Sequence, residues 1–170
     1  MACEDKCPTK AIYQTIGNDG HKYIKINEDK CIECKLCEKT CPAVNNLTYG
    51  DNSIHTNKFY AGWAKNNKLR GNAATSGIFG AIAKYFLDQG GWIAGAIMDG
   101  IDCKYIVTNS IDDIARLQGS KYTYSNPKGI FGQILALLKS GNIVLFSGLP
   151  CHVAALISFI PSSLQTHLYT

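Results

Sequence analysis

The stretch of sequence that decides the fold is Cys31-Ile32-Glu33-Cys34-Lys35-Leu36-Cys37-Glu38-Lys39-Thr40-Cys41-Pro42. Its spacing, C-x2-C-x2-C-x3-C-P, is typical of loops that hold a [4Fe–4S] cubane. Thiolates at positions i, i+3 and i+6 can wrap one tight loop around three corners of a compact cluster. The fourth cysteine, Cys41, leaves that loop, and in proteins with two clusters it ligates the other cluster.

A second, partial copy of this motif lies upstream. Cys3 and Cys7-Pro8 precede Cys37 and Cys41-Pro42 by the same offset of thirty-four residues, which indicates an internal repeat. The first two cysteines of that copy would fall before Met1, so we expect the chain to be a fragment of a longer gene product. Because the fourth ligand crosses between clusters, we predict one complete site and half of a second. The complete site is Cys7, Cys31, Cys34 and Cys37, and the half site is Cys3 and Cys41.

Two other uses of cysteine compete with this prediction. Eight cysteines would suit a disulfide scaffold in a secreted protein, but the opening residues MACEDKCP are too polar for the apolar region of a signal peptide. A four-cysteine zinc site is the stronger alternative. Zinc sites commonly use two C-x2-C pairs separated by a longer loop, whereas this chain has three cysteines in succession. The pattern therefore favours an iron–sulfur redox centre in a reducing cytoplasm.

Composition narrows the class of protein further. A chain of 170 residues with 46% hydrophobic content can bury a sizeable core. The net charge is only +4 and no basic run is present, so nucleic-acid binding is not predicted. No charged residue follows Lys139, but the apolar stretch from 140 to 160 includes Asn142, Pro150 and His152. We therefore expect a buried strand, a turn and a buried helix there, and no transmembrane span.

The chain divides into two predicted units. Residues 1–50 are expected to form a small ferredoxin-like [4Fe–4S] domain, with a hairpin whose strands, 11–16 and 21–26, flank a glycine-rich turn. Residues 45–57 are polar and are predicted to be a linker. From residue 58 to 170, strands and helices alternate, which is typical of an α/β layer architecture. The predicted strands are 59–64, 92–98, 105–108 and 143–146, and the predicted helices are 76–89 and 130–139, with a further helix start at 110.

Three loops of the second unit are rich in small and hydroxylated residues. Such residues at a helix N-terminus leave backbone N–H groups free for phosphate, and the ends of buried strands are where α/β sheets bind ligands. Each loop is also consistent with ordinary capping and turn chemistry. The residues singled out as candidate cofactor contacts are Thr75, Ser76, Gly77, Gly119, Ser120, Lys121, Tyr122, Ser125, Ser147, Gly148, Pro150 and Cys151.

The order of these motifs along the chain is that of one family. The chain resembles the coenzyme F420 hydrogenase/dehydrogenase beta-subunit family, in the bacterial branch with an N-terminal ferredoxin domain. Members use [4Fe–4S] clusters and FAD to move electrons to or from an organic acceptor, a deazaflavin in archaeal members and a chlorophyll derivative in a plant relative. The family usually has Ser-Gly-Gly where this chain has Thr75-Ser76-Gly77, and Pro-Cys-Gln where it has Pro150-Cys151-His152.

The resemblance implies an α+β ferredoxin-like domain followed by a partial α/β flavin-binding-type domain. The implied full-length function is an FAD- and [4Fe–4S]-dependent oxidoreductase that passes electrons between its clusters, FAD, and a small organic acceptor or a redox partner subunit. In that family's site we expect Lys121 to offer positive charge to the flavin. A ferredoxin-like electron carrier without its own flavin is the alternative. Cys151 and His152 are neighbours in sequence without a third orienting group, so Cys–His catalysis is not predicted.

Overall fold

The computed structural model describes residues 2–45 and 60–170. The first of these parts contains three short helices and a two-stranded hairpin. The hairpin is the one predicted from the sequence. Its strands pair antiparallel from Ile12 opposite Ile26 to Ile16 opposite Lys22, and Gly20 takes a left-handed φ of 77° in the turn. The elements of this part are α1 (Ala2–Lys6), β1 (Ile12–Ile16), β2 (Lys22–Ile26), a 3-10 turn (Glu28–Lys30), α2 (Leu36–Thr40) and α3 (Pro42–Asn45).

The second part is a five-stranded sheet with helices on both faces. The strand order is β5-β4-β3-β6-β7. β3 and β4 form an antiparallel hairpin and the other neighbours pair parallel, so the sheet is mixed. Its helices are α4 (Asn67–Gly71), α5 (Ile78–Asp88), α6 (Ile114–Leu117), α7 (Ile130–Lys139) and α8 (Pro150–Phe159). Its strands are β3 (Trp92–Asp99), β4 (Asp102–Thr108), β5 (Ser125–Asn126), β6 (Val144–Phe146) and β7 (Leu168–Tyr169).

The core has two layers, one on each face of this sheet. On one face α7 and α8 bury Phe131, Ile134 and Leu156 against the sheet, and Ala2 of α1 joins the same cluster. On the other face α5 and α6 bury a smaller cluster, which includes Ala83 and Leu117. The predicted helices at 76–89 and 130–139 are thereby confirmed as α5 and α7, because their apolar faces pack on opposite sides of one sheet.

The uncharged stretch from 140 to 160 forms the buried strand β6 and the helix α8, as predicted. None of the helices in the described residues is long and apolar enough to cross a membrane.

The predicted strand at 59–64 is wrong over the residues that the structure describes, 60–64, which form no strand. This segment lies beside α5 instead of the sheet. The Ala64 N–H donates to the Ser76 carbonyl at 2.8 Å, and a Cβ on Gly62 would lie 3.8 Å from Ile78 Cδ1. A strand needs a neighbouring strand to pair with, and a short apolar run does not reveal whether one is present. Residues 46–57 of the predicted linker lie outside the described residues.

Candidate functional site

Four cysteines from two distant stretches line one cavity of the N-terminal part. Cys7, which follows α1, lines this cavity together with Cys31 and Cys34 of the loop before α2 and Cys37 of α2 itself. The remaining walls are mainly apolar, from the residues Ala11, Ile12, Ile26, Ile32 and Leu36. Four thiols around an apolar cavity provide the ligands and the dry surroundings that an iron–sulfur cluster requires.

The segment that presents three of these thiols, residues 31–37, has an unusual backbone. Glu33 and Lys35 both take left-handed conformations, with φ of 53° and 58°. Residues with a Cβ adopt this region at a cost of roughly 1–2 kcal/mol each, so the loop stores strain in order to turn its cysteines inward. Cys31 and Cys34 are exposed, whereas Cys37 is half-buried. One side of the cavity therefore faces solvent.

The Cys7 thiol lies in surroundings that favour its ionised form. Burial raises its pKa, but hydrogen bonds outweigh this and hold the pKa below its usual value. The Ala11 N–H donates to Cys7 Sγ at 3.3 Å, and the Thr9 hydroxyl lies 3.6 Å away. Because the thiolate is the form that binds a metal, these contacts prepare Cys7 for ligation.

The cavity differs from a site for one metal ion. Among residues 2–45 and 60–170, no three histidine, cysteine or acidic side chains converge closely enough to hold a single ion. A tetrahedral zinc site needs all four ligands on one centre, whereas a cubane offers four separate irons, each taking one thiolate. The four thiols line one cavity, and a cubane bound there would take one thiolate on each iron.

Cys3 and Cys41 lie outside this cavity but close to each other. Burial raises the pKa of the Cys3 thiol, and the neighbouring Cys41 raises it further. Cys3 is on α1, and Cys41 follows the last residue of α2. Both helices pack against α8 of the second part. The structure therefore places this pair on or beside helices of the first part that contact the second part.

The three loops singled out in the second part meet at one open groove. It is lined by Thr75, Ser76 and Gly77 from the first loop, by Gly119 and Ser120 from the second, and by Ser147 from the third. The first turn of α5 forms part of the wall, and no side chain caps that helix. An uncapped helix N-terminus beside hydroxyl groups is a favourable place for a phosphate.

Gly77 is the residue on which this part of the groove depends. It takes a left-handed φ of 73° at the start of α5. A Cβ there would approach Arg70 Cα to 2.9 Å, closer than real Cβ contacts come. Only glycine fits, because both the backbone conformation and the contact with α4 exclude a side chain.

Lys121 does not line the groove. Its ammonium donates to the carbonyls of Leu117, Gln118 and Gly119 at 2.7, 2.8 and 3.2 Å, which places it at the C-terminal end of α6. Burial lowers the pKa of Lys121. In this conformation its donors are occupied, so a contact with a bound phosphate would require the side chain to leave those carbonyls.

The other predicted contacts occupy varied positions outside the groove. Tyr122 is 97% exposed and Ser125 is buried in β5. Gly148 packs so closely that a Cβ would lie 2.7 Å from the Phe146 ring. Pro150 begins α8, and Cys151 is exposed.

One contact that the sequence analysis did not predict joins Tyr105 of β4 to His152 of α8. Tyr105 Oη and His152 Nδ1 share a hydrogen bond at 2.9 Å, and the Tyr105 ring stacks on Phe146. Burial lowers the pKa of His152, so its imidazole is held neutral, and it faces Tyr105 through a bond that spans forty-seven residues. No local pattern indicates such a pair.

Gln118 is a third residue whose position the sequence did not reveal. It lines the groove, is 7% exposed, and its amide donates to the Leu69 carbonyl at 2.8 Å. Its Oε1 is buried without a hydrogen-bond partner in the described parts of the chain. An unpaired buried acceptor costs about 1–3 kcal/mol, which a donor supplied by a ligand or a water would recover.

Two family models match the chain over different ranges of residues. Residues 1–45 match the model of a 4Fe-4S dicluster domain. Residues 59–129 match the model of coenzyme F420 hydrogenase/dehydrogenase, beta subunit, N-terminal. The resemblance drawn from the motifs is therefore confirmed.

The curated relatives that match the chain include two ferredoxins. Ferredoxin-1 of Caulobacter vibrioides is 38% identical over 42 residues, which are 25% of this chain and 33% of that protein. A ferredoxin of Streptomyces griseus is 34% identical over 59 residues, 35% of this chain and 50% of that protein. The match thus spans a third to a half of these relatives. The N-terminal part of the chain is thus similar to 4Fe-4S dicluster domains and to these ferredoxins.

Proposed function

We propose that this chain, a 4Fe–4S dicluster segment joined to the N-terminal segment of an F420 hydrogenase/dehydrogenase beta subunit, is an iron–sulfur flavoprotein oxidoreductase. The observation that carries the flavin part of the proposal is the groove at the start of α5. Loops separated along the chain by 45 and 27 residues supply Thr75, Ser120 and Ser147 to it. Such convergence of hydroxyl groups on one uncapped helix end is not needed for packing, and it suits a phosphate-bearing cofactor.

The four-cysteine cavity is the proposed cluster site. Cys7, Cys31, Cys34 and Cys37 are the proposed ligands, with Cys3 and Cys41 as half of a second site. The lowered pKa of Cys7 and the apolar walls fit this role. Bound at these sites, a cluster supplies single-electron exchange and FAD supplies two-electron storage with hydride exchange. The chain's own residues hold and orient these groups and keep water from the buried side of the cavity.

The groove has the complementary features that a dinucleotide requires. The free N–H groups at the start of α5 and the hydroxyls of Thr75 and Ser76 suit the phosphates. The unpaired Gln118 Oε1 suits a hydroxyl or N–H donor on the ligand. Lys121 is the proposed mobile cation, able to exchange the carbonyls of α6 for an anion.

The exposed side of the cavity indicates where electrons enter or leave. Cys31 and Cys34 are the exposed thiols, and Ile32 between them is 63% exposed. We place the contact with a redox partner protein or subunit at this loop, and a small organic acceptor beside the groove. Because iron ligation requires reduced thiols, we propose a reducing compartment, the cytoplasm.

A ferredoxin-like carrier without a flavin is the second candidate. The observation that favours it is the position of the Lys121 ammonium on three carbonyls instead of in the groove. Anaerobic reconstitution with FAD, followed by desalting, separates the two functions. A yellow chromophore retained with the protein supports the flavoprotein, and its absence supports the carrier.

Matched variants make this experiment specific to the groove. Thr75→Val and Ser120→Ala each remove one hydroxyl from the groove wall and should lower retained FAD. Thr123→Val removes a hydroxyl that lies outside the groove and should leave FAD retention unchanged. Equal loss in all three variants would contradict the assignment of FAD to this groove.

A further inference from the structure

The three residues before the proposed ligand Cys7 each bind the second part of the chain. Glu4, Asp5 and Lys6 lie on α1 between Cys3 and Cys7, and we call these three residues the α1 clamp. All three are half-buried. Glu4 and Asp5 contact residues at or just before the start of α7, and Lys6 contacts the end of α8. The short helix is thus attached through three side chains.

Asp5 caps α7. The Gly129 N–H donates to Asp5 Oδ1 at 2.9 Å, and the Gly132 N–H approaches Asp5 Oδ2 at 3.4 Å. The first N–H groups of a helix have no partner within it, and a carboxylate there also meets the positive end of the helix dipole. The N-terminus of α7 is thus satisfied by a residue more than a hundred positions away.

Lys6 caps the C-terminal end of α8. Its ammonium donates to the Phe159 carbonyl at 3.1 Å and lies 4.6 Å from the centroid of the Phe159 ring. Phe159 is the last residue of α8, where carbonyls are unpaired and the dipole favours a cation.

Glu4 completes the clamp. Its carboxylate forms an ion pair with Lys128 at 2.8 Å and accepts a hydrogen bond from Gln14 at 2.7 Å. Lys128 immediately precedes Gly129, so Glu4 and Asp5 grip the same corner of the second part.

We propose that the α1 clamp positions the cysteines that flank it, so that the cluster site is held in place by the α/β part. The proposal rests on Cys7 being a cluster ligand, as the proposed function has it. Glu4, Asp5 and Lys6 are positioning residues, because none of them lines the cluster cavity and their side chains contact β1, the start of α7 and the end of α8. The clamp thereby fixes the distance that electrons travel between the cluster site and the groove at the start of α5.

The chain contains its own control for this proposal. The tetrapeptide Glu4-Asp5-Lys6-Cys7 recurs as Glu28-Asp29-Lys30-Cys31, again ending on a proposed ligand. In the second copy all three charged residues are exposed in a 3-10 turn. Within the described residues, no hydrogen bond or ion pair joins those side chains to residues 60–170. The same three charged residues therefore precede a proposed ligand in both copies, but only those of the first copy make the clamp contacts.

The test compares Asp5→Asn/Lys6→Met with Asp29→Asn/Lys30→Met after anaerobic cluster reconstitution of the whole chain. Both double variants change the same charges beside a ligand, but only the first removes clamp contacts, those of Asp5 and Lys6. We expect the first to release iron to a chelator about five- to thirty-fold faster than the unaltered chain, and to alter the electron paramagnetic resonance spectrum of the reduced cluster. The second should match the unaltered chain in both.

Lys6→Arg tests positioning against a loss of folding. Arginine retains a cation over the Phe159 ring and a donor for the Phe159 carbonyl. The iron-release rate of this variant should therefore stay within about two-fold of that of the unaltered chain. Equal effects of the two double variants, or no effect of either, would overturn the clamp. An unaltered chain that takes up no cluster would overturn the proposed function instead, and the clamp with it.

Discussion

Gln14 of β1 and Asn126 of β5 join the N-terminal hairpin to the edge of the five-stranded sheet through two side-chain hydrogen bonds. The Asn126 amide donates to the Gln14 carbonyl oxygen at 2.9 Å, and the Gln14 amide approaches Asn126 Oδ1 at 3.4 Å. The residues are 112 positions apart. Together with the α1 clamp, this pair of residues orients the hairpin relative to the five-stranded sheet.

This amide pair should contribute measurably to stability. Gln14→Ala and Asn126→Ala should each lower the free energy of unfolding by about 1 kcal/mol, because each leaves a partly buried amide without its partner. In a double-mutant cycle followed by urea denaturation, the two losses should be less than additive. Strict additivity would show that the two side chains do not interact in solution.

Gly77→Ala should destabilise the protein more than Gly90→Ala. Both glycines have a left-handed φ, 73° and 74°, so both substitutions incur roughly 1–2 kcal/mol for the backbone. Only at Gly77 does the new Cβ also meet the backbone of Arg70, whereas nothing lies within 4 Å of a Cβ at Gly90. Thermal unfolding of the two variants measures the difference, and equal losses would contradict the close approach of α4 to α5.

His152 should make stability depend on pH. Burial lowers its folded-state pKa below the unfolded value of about 6.5. As pH falls below that value the unfolded state binds the proton first, so stability decreases with falling pH until the folded state is also protonated. His152→Gln should flatten this dependence between about pH 7.5 and about pH 5.5, as followed by the midpoint of thermal unfolding. An unchanged slope would show that His152 is accessible to protons in the folded state.

The features predictable from the sequence were those with a local signal. The spacing of Cys31, Cys34 and Cys37 identifies the cluster loop without any tertiary information. The helix α5 follows from its apolar period between Gly77 and Gly90. The strand expected at 59–64 failed because a short apolar run has the same pattern beside a helix as within a sheet.

The features that the sequence did not reveal depend on polar side chains that meet across the fold. Asp5 with Gly129, Gln14 with Asn126, and Tyr105 with His152 have no periodicity linking them. The position of Lys121 differs from the predicted contact with a flavin, although it has a local explanation, because the lysine follows the helix end at Leu117–Gly119 by only a few residues. A cation near unpaired carbonyls binds them whenever no anion competes.

The Cys103 thiol of the second part should be inert toward iron. Cys103 is buried in β4, and burial raises its pKa, so it is neither ionised nor accessible. Cys103→Ser should leave iron uptake unchanged, as measured by iron analysis after anaerobic reconstitution. Loss of iron in this variant would place a cluster ligand in the α/β part.

The central claim is that Cys7 ligates the same cluster as Cys31, Cys34 and Cys37, and the most direct test is the iron content of Cys7→Ser after anaerobic reconstitution. The unaltered chain and Cys103→Ser should each bind about four irons, the content of one cubane. Cys7→Ser should lose iron as severely as Cys34→Ser. A Cys7→Ser variant that retains a full cluster would contradict the account.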